Sequence, residues 1–184
     1  MKTPKRQISF LERKEVEQII AAIKTEGVRN LRDRALLEVL FSTGLRISEA
    51  LSLPDAPFVK EIAGTMEMSI VGKGGWQRVV YFSPAAMKAV KAYLAARKDS
   101  ELLLFPMTPR AAQIMVKKRA KAAGITKRVS PHVFRHSLAT DLLRRGVDIR
   151  FVSEFLGHRS INNTMIYTHV VNEQLKNIHE KLYE

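Results

Sequence analysis

Three of the five histidines and one of the four tyrosines fall between residues 131 and 167, in Pro131-His132-Val133-Phe134-Arg135-His136, Leu156-Gly157-His158 and then Tyr167. Together these residue types can hold a phosphate and attack it with a phenol oxygen. Arginine presents a planar fork of N–H donors that matches phosphate oxygens. A tyrosine hydroxyl titrates at about 10 and is a weak nucleophile until Arg, Lys or His crowd it. At helical spacing His132, Arg135 and His136 share one face. Two histidines four residues apart also suit a zinc helix. No glutamate follows His132, however, and Arg135 beside them favours an anion over a cation. The plain alternative is a core or capping role for His136 and a packing role for Tyr167.

Two upstream stretches add to the kit. In Thr43-Gly44-Leu45-Arg46-Ile47-Ser48-Glu49-Ala50 a glycine precedes a helix start, which sets Arg46 near the positive end of that helix. Glu49 can orient or neutralise Arg46; taken alone, the two make a surface ion pair. Lys73 stands at the tip of Gly72-Lys73-Gly74-Gly75. From such a turn an ammonium reaches a phosphate or a leaving oxygen, or is simply solvated.

The elements that must position these residues follow from periodicity and punctuation. Ser9-Phe10-Leu11-Glu12 reads as a capping box, with Val16, Ile19, Ile20 and Ile23 at helical spacing and Gly27 as the stop. A second helix is expected from Leu31 to Thr43, burying Ala35, Leu36, Val39 and Leu40 and broken by Gly44. A third, from Arg46 to Leu53, is closed by Pro54 and Pro57. The period then changes: Met66 to Val71 and Gln77 to Phe82 read as strands around the glycine turn, with Phe58 to Ile62 as a candidate third. Ser83-Pro84 opens a helix from Ala85 to Arg97, and Leu102 to Phe105 is too short to classify. Thr108-Pro109 opens a basic helix to Ala123 that carries Arg110, Lys117, Lys118, Arg119 and Lys121. Ser130-Pro131 opens the motif helix, which ends near Gly146. Asp148 caps another, ended by Gly157, and Ser160 a further one containing Tyr167. The tail from Asn172 to Tyr183 is amphipathic through Leu175, Ile178 and Leu182. The predicted fold class is mostly α with a small antiparallel β-sheet (α+β).

A chain of 184 residues, 46% of them hydrophobic, fits one domain with a substantial core. Residues 1–8 read as a flexible polar segment that leads into no apolar signal core. No run of roughly 18 uncharged apolar residues argues for a membrane span. Without cysteine, disulfides and thiolate metal sites are excluded, and a cytoplasmic location is the simplest expectation. The net charge of +13 calls for a polyanionic partner, nucleic acid or an anionic membrane surface.

Taken singly these signals are weak; their order is specific. Thr-Gly-Leu-Arg-Ile-Ser-Glu, Gly-Lys-Gly, His-Val-Phe-Arg-His-Ser-Leu-Ala-Thr and Leu-Gly-His-Arg-Ser-Ile-Asn-Asn-Thr-Met-Ile-Tyr-Thr-His follow one another along the chain. In this the sequence resembles the catalytic domain of the tyrosine recombinases, the phage integrase family, and among them the Xer-like branch. The resemblance implies that fold over residues 9–184, C-terminal helix included, and site-specific DNA recombination or integration as the function. It implies that Arg46 and Arg135 clamp the nonbridging oxygens of the scissile phosphate and that His158 adds a hydrogen bond, which stabilises transition-state charge. Lys73 would protonate the leaving 5′ oxygen, and His132 would accept or ease away the phenol proton. Tyr167 would attack, leaving a 3′-phosphotyrosyl link and a 5′ hydroxyl. Because that link keeps the phosphodiester energy, no cofactor, ATP or metal is expected. Glu49 would support the network from behind.

The same resemblance makes Arg110 and Gln113 candidates for base-edge contacts and Lys117 for phosphate. Family members often carry a second Lys or Arg shortly after Gly-Lys-Gly; here Trp76 fills that region and Arg78 follows, so Arg78 joins the residues expected to meet DNA. The implied partners are double-stranded DNA and further copies of the chain: a monomer when free, a homo-oligomer on DNA and a tetramer in synapsis. The C-terminal helix would dock on a neighbouring subunit or on its own domain. No membrane partner is implied. The family's N-terminal core-binding domain is expected to be absent, which predicts weak, salt-dependent DNA binding. Two rival readings share these residues: a recombinase-derived module that binds DNA without cutting it, and a type IB topoisomerase-like relaxing enzyme.

Overall fold

In the computed structural model, helix α2 (Val28–Thr43) is the spine against which α1 (Arg13–Ala21), α5 (Pro84–Ala96) and α7 (Pro131–Arg144) pack. The structure describes residues 10–59, 66–72, 75, 77–157, 167 and 170–171. Ala35, Leu36, Leu37, Val39 and Leu40 of α2 are all buried, so the apolar surface wraps several sides of the helix and meets several partners. The helix starts earlier than its periodicity suggests, because Gly27, read as the stop of the preceding helix, is instead its N-cap at φ +80°. Helix α1 itself ends at Ala21.

The capping box expected at Ser9 is displaced. Phe10 and Leu11 are not helical; Leu11 is buried and its N–H donates to Ser137 Oγ at 2.8 Å. Glu12 is the N-cap, with its N–H given to Glu15 Oε2 at 2.7 Å. Ser9 lies outside the described residues.

After the short α3 (Ile47–Leu51), the segment read as a candidate strand from Phe58 begins instead as a helix, α4 (Ala56–Val59). Phe58 N–H closes on Asp55 O at 2.9 Å, and the Phe58 ring turns edge-on to Phe82 at 5.1 Å and 79°. Burying that ring fixes the turn, and residues 60–62 lie outside the described set. Strands β1 (Met66–Val71) and β2 (Gln77–Phe82) pair antiparallel from Met66↔Phe82 to Val71↔Gln77. Met66, Ile70, Val80 and Phe82 face the core.

The Leu102–Phe105 run is a second tie: Leu103 bridges Pro54, and Leu104 N–H donates to Leu53 O at 2.8 Å. Local caps start the remaining helices. Ser83 Oγ accepts from Ala86 N–H ahead of α5, and Thr108 Oγ1 accepts from Ala111 N–H ahead of α6 (Pro109–Ala122). Asp148 Oδ1 accepts from Arg150 N–H ahead of α8 (Ile149–Leu156). Beside the main core lies a smaller cluster of Ala139, Leu143, Val152, Leu156, Tyr167 and Val170. No described helix is long and apolar enough to cross a membrane. The helix expected over the tail from Asn172 falls outside the described residues.

Candidate active site

The site begins at the turn after α2. Gly44 adopts φ +62°, and a Cβ there would lie 2.7 Å from Leu156 Cδ2 and 3.1 Å from Leu138 Cδ2. Only glycine takes this backbone shape without strain and lets α2 close against α7 and α8. Arg46 follows as the N-cap of α3, its N–H donated to Glu49 Oε2 at 2.9 Å and its Nη1 to Glu49 Oε1 at 3.0 Å. Arg46 Nη2 reaches toward Gly157 O at 3.5 Å, and the side chain remains 31% exposed.

Arg135 enters from α7 and is 6% exposed. Its Nη1 donates to Gly44 O and its Nη2 to Leu156 O at 2.6 Å. The guanidinium thus bridges the Gly44 turn and the end of α8. Burial, helped by the Arg46 charge and opposed by Glu49, brings it down to about 10, so it stays a cation at neutral pH. Arg46 and Arg135 therefore address consecutive carbonyls at Gly157 and Leu156, immediately before His158 in the chain.

Glu49 is no surface carboxylate. Arg78 from β2 donates to it through Nη2 at 2.7 Å and Nη1 at 3.3 Å, and the two side chains are 9% and 10% exposed. Burial alone would raise the Glu49 carboxyl; the hydrogen bonds from Arg78 and Arg46 outweigh it and hold it below its usual value. Two guanidiniums, Arg46 and Arg78, thus share one carboxylate, with the Arg135 charge nearby, and the excess positive charge suits an anion. Arg78, expected to meet DNA, is held inward at the Glu49 carboxylate. Its guanidinium is buried, committed to Glu49, and packed so closely on Gly157 that a Cβ there would lie 2.8 Å from Arg78 Cδ.

Tyr167 is 2% exposed in the smaller apolar cluster. Its hydroxyl is 2.5 Å from His136 Nδ1. Burial pushes the phenol up to about 12 even though Arg135 acts the other way. His136 is held below its usual value by burial and then by His132 and Arg135.

The structure therefore brings Arg46, Glu49, Arg78, Arg135 and Tyr167 toward one region where α3, α7, α8 and β2 meet. The shared face expected for His132, Arg135 and His136 divides by depth: Arg135 is buried, His136 half-buried and His132 exposed. His132 opens instead into a cleft of about 790 Å³ that Gln113 and Lys117 of α6 also line. Arg110 is exposed on the same helix. Arg119, grouped with the basic face, is an internal tie to α2 through Asp33, with Nη2 to Oδ2 at 2.6 Å. Lys73, Trp76 and His158 lie outside the described residues. Two partnerships escaped the sequence reading, Arg78 with Glu49 and His136 with Tyr167. The second pair is separated by 31 residues, and no local pattern announces it.

The family model for the Phage integrase family matches residues 9–174. Tyrosine recombinase XerD of Corynebacterium glutamicum is 40% identical over 179 residues, covering 89% of this chain and 58% of that protein. Among solved structures, XerH site-specific recombinase in a post-cleavage complex with a palindromic difH substrate aligns at TM-score 0.81 and 27% identity, over 97% of this chain and 54% of that one. XerA recombinase aligns at TM-score 0.78 and 28% identity, over 100% of this chain and 66% of that one. The chain thus spans less than two thirds of the length of these relatives. The matched region contains Arg46, Arg135 and Tyr167, and the chain belongs to the phage integrase family of tyrosine recombinases.

Proposed function

We propose that this chain is the DNA-cutting part of a site-specific recombinase, working through a phosphotyrosine. What supports this most directly is the convergence of Arg46 and Arg135 on neighbouring carbonyls at the end of α8, with Glu49 and Gly44 fixing them from the other side. In this reading a scissile phosphodiester docks on the remaining N–H groups of Arg46 and Arg135. The Tyr167 oxygen attacks phosphorus, the bond to the 5′ oxygen breaks, and a 3′-phosphotyrosyl ester remains. The phenol proton passes to His132 and the 5′ oxygen takes a proton from Lys73. His158 adds a donor to the phosphate. Rejoining is the reverse, with a 5′ hydroxyl attacking the ester. Charge gathers on the nonbridging oxygens at the transition state, where removing one fixed donor costs about 10²–10³ in rate.

Arg110, Gln113 and Lys117 lie on one exposed face of α6, at spacings of three and four residues. They carry the proposed contact with the DNA groove and backbone, and Gln113 and Lys117 line a cleft together with His132. The chain is proposed to be a monomer when free and a tetramer on paired DNA sites, the C-terminal segment linking neighbours.

The test is covalent capture. Duplexes of randomised sequence, each nicked next to a central phosphate, are incubated with protein in EDTA and resolved under denaturing conditions. A protein–DNA adduct mapping to Tyr167, absent from Tyr167→Phe, is expected. Lack of any adduct with the wild-type chain across a range of salt would overturn the reading. Relaxation of supercoiled plasmid without sequence preference would move it to a topoisomerase-like enzyme.

A further inference from the structure

Tyr167 and His136 form the closest side-chain pair around the proposed nucleophile. Oη and Nδ1 are 2.5 Å apart, and the rings lie 5.7 Å apart at 59°. The phenol is enclosed by the apolar cluster of Ala139, Leu143, Val152 and Leu156. A DNA phosphate is charged and hydrated, and cannot enter a place where the tyrosine is 2% exposed. The hydroxyl must therefore leave this place before it attacks. Leaving it breaks the bond to His136.

The protonation states fit that arrangement. Burial raises the phenol to about 12, so it keeps its hydrogen. Burial lowers His136, with His132 and Arg135 of the same helix acting in the same direction, so the ring is neutral at neutral pH. Of two neutral groups the phenol is the better donor. It gives its O–H to Nδ1, and Nε2 carries the ring hydrogen. His136 itself is one residue beyond Arg135, on a helix that Arg135 locks to the Gly44 turn and to α8. The acceptor is therefore fixed, and Tyr167 is the partner that moves.

We propose that His136 is a positioning residue that holds the Tyr167 hydroxyl in a buried resting place, and that cleavage begins only when this hydrogen bond breaks. The proposal rests on Tyr167 being the nucleophile, but its restraint on the phenol can be read without DNA. His136 does not touch the substrate.

Tetranitromethane, which nitrates accessible phenols, supplies that reading in the free protein, with peptide mass spectrometry to score each tyrosine. Tyr81, 43% exposed, and Tyr93, 2% exposed, are internal references. In the wild type Tyr167 is expected to react as slowly as Tyr93. Losing one hydrogen bond shifts such an equilibrium by about fivefold, so His136→Leu should raise Tyr167 nitration by about that factor relative to Tyr81. His136→Asn, whose Oδ1 falls near the Nδ1 position, should restore protection. Should His136→Leu not fold, His136→Gln replaces it, because its amide sits one bond too far out and carries the same expectation. On nicked duplexes, first-turnover capture should rise by about fivefold in the Leu variant and match wild type in the Asn variant.

Equal nitration of Tyr167 in wild type and His136→Leu would overturn the proposal. So would slower capture alongside faster nitration, since His136 would then deliver the phenol rather than restrain it. Absence of any adduct from the wild type would remove the recombinase reading, while the nitration arm would still decide the restraint.

Discussion

At the scale of single residues, the site depends on what a guanidinium does and an ammonium cannot. Arg135 serves two carbonyls on separate elements, Gly44 and Leu156, from one planar head. In Arg135→Lys one of those carbonyls is left buried without a donor, which costs about 1–3 kcal/mol. The same change should slow covalent capture by about 100-fold or more, since a fixed donor to the developing charge is gone. Urea unfolding and single-turnover capture measure the two effects; a lysine variant cutting at wild-type rate would contradict the clamp. Glu49 makes a separate prediction about acid. Its folded value lies below the usual 4.5, so the stability it contributes is fully present above about 4.5 and is lost as pH falls through the lowered value. Melting temperature against pH should therefore fall less steeply on the acid side in Glu49→Gln than in wild type. The variant should also be less stable at neutral pH, by about 3–5 kcal/mol, because Arg78 keeps its buried charge without a counterion. Parallel acid limbs for the two proteins would show that Glu49 is not the titrating group.

At the scale of elements, the turn at Gly44 is the joint that makes the site. Gly44→Ala meets both the left-handed backbone and Leu156 Cδ2 at 2.7 Å, so a loss of about 2–4 kcal/mol is expected in urea, with capture falling as Arg46 and Arg135 separate. A variant as stable as wild type would mean that α8 moves aside freely. This joint was readable in part: a glycine before a helix start marks the turn, whereas its contact with Leu156 comes from a helix far along the chain. The same division runs through the fold. The ends of the hairpin and the caps at Ser83, Thr108 and Asp148 were legible because each is local chemistry, settled within four residues or by strict alternation. The start of α1 was not, because Leu11 is held by Ser137 Oγ, 126 residues away. Nor was α4, where the Phe58 ring is claimed by Phe82. Arg46, Arg135 and Tyr167 are weak signals by residue type alone and were marked by the order in which the motifs follow one another. That Arg78 turns inward to Glu49, and that His136 holds a tyrosine, are facts of packing that type and spacing do not carry.

At the scale of the whole molecule, the net charge of +13 and the exposed basic face of α6 set how the chain should meet DNA. Two of the arginines in that count are turned inward, Arg78 to Glu49 and Arg119 to Asp33. What remains for phosphate is chiefly exposed lysine and arginine, whose binding is driven by release of counterions. With about six phosphates neutralised, affinity should drop roughly a thousandfold between about 50 and 200 mM salt. Fluorescence anisotropy of a labelled duplex across that range measures the slope of log affinity against log salt. Lys117→Ala should lower that slope by about one, as the loss of one phosphate contact requires, without changing which sequences bind best. Gln113→Ala should do the reverse, leaving the slope alone and relaxing sequence preference, because an amide reads base edges and carries no charge. If both variants changed the slope equally, or neither changed anything, α6 would be a solvated face and the DNA would have to cross the protein elsewhere. Tight, nanomolar binding by the free chain at physiological salt would point the same way, since a contact made mainly of exposed charges is weakened most where counterions are plentiful.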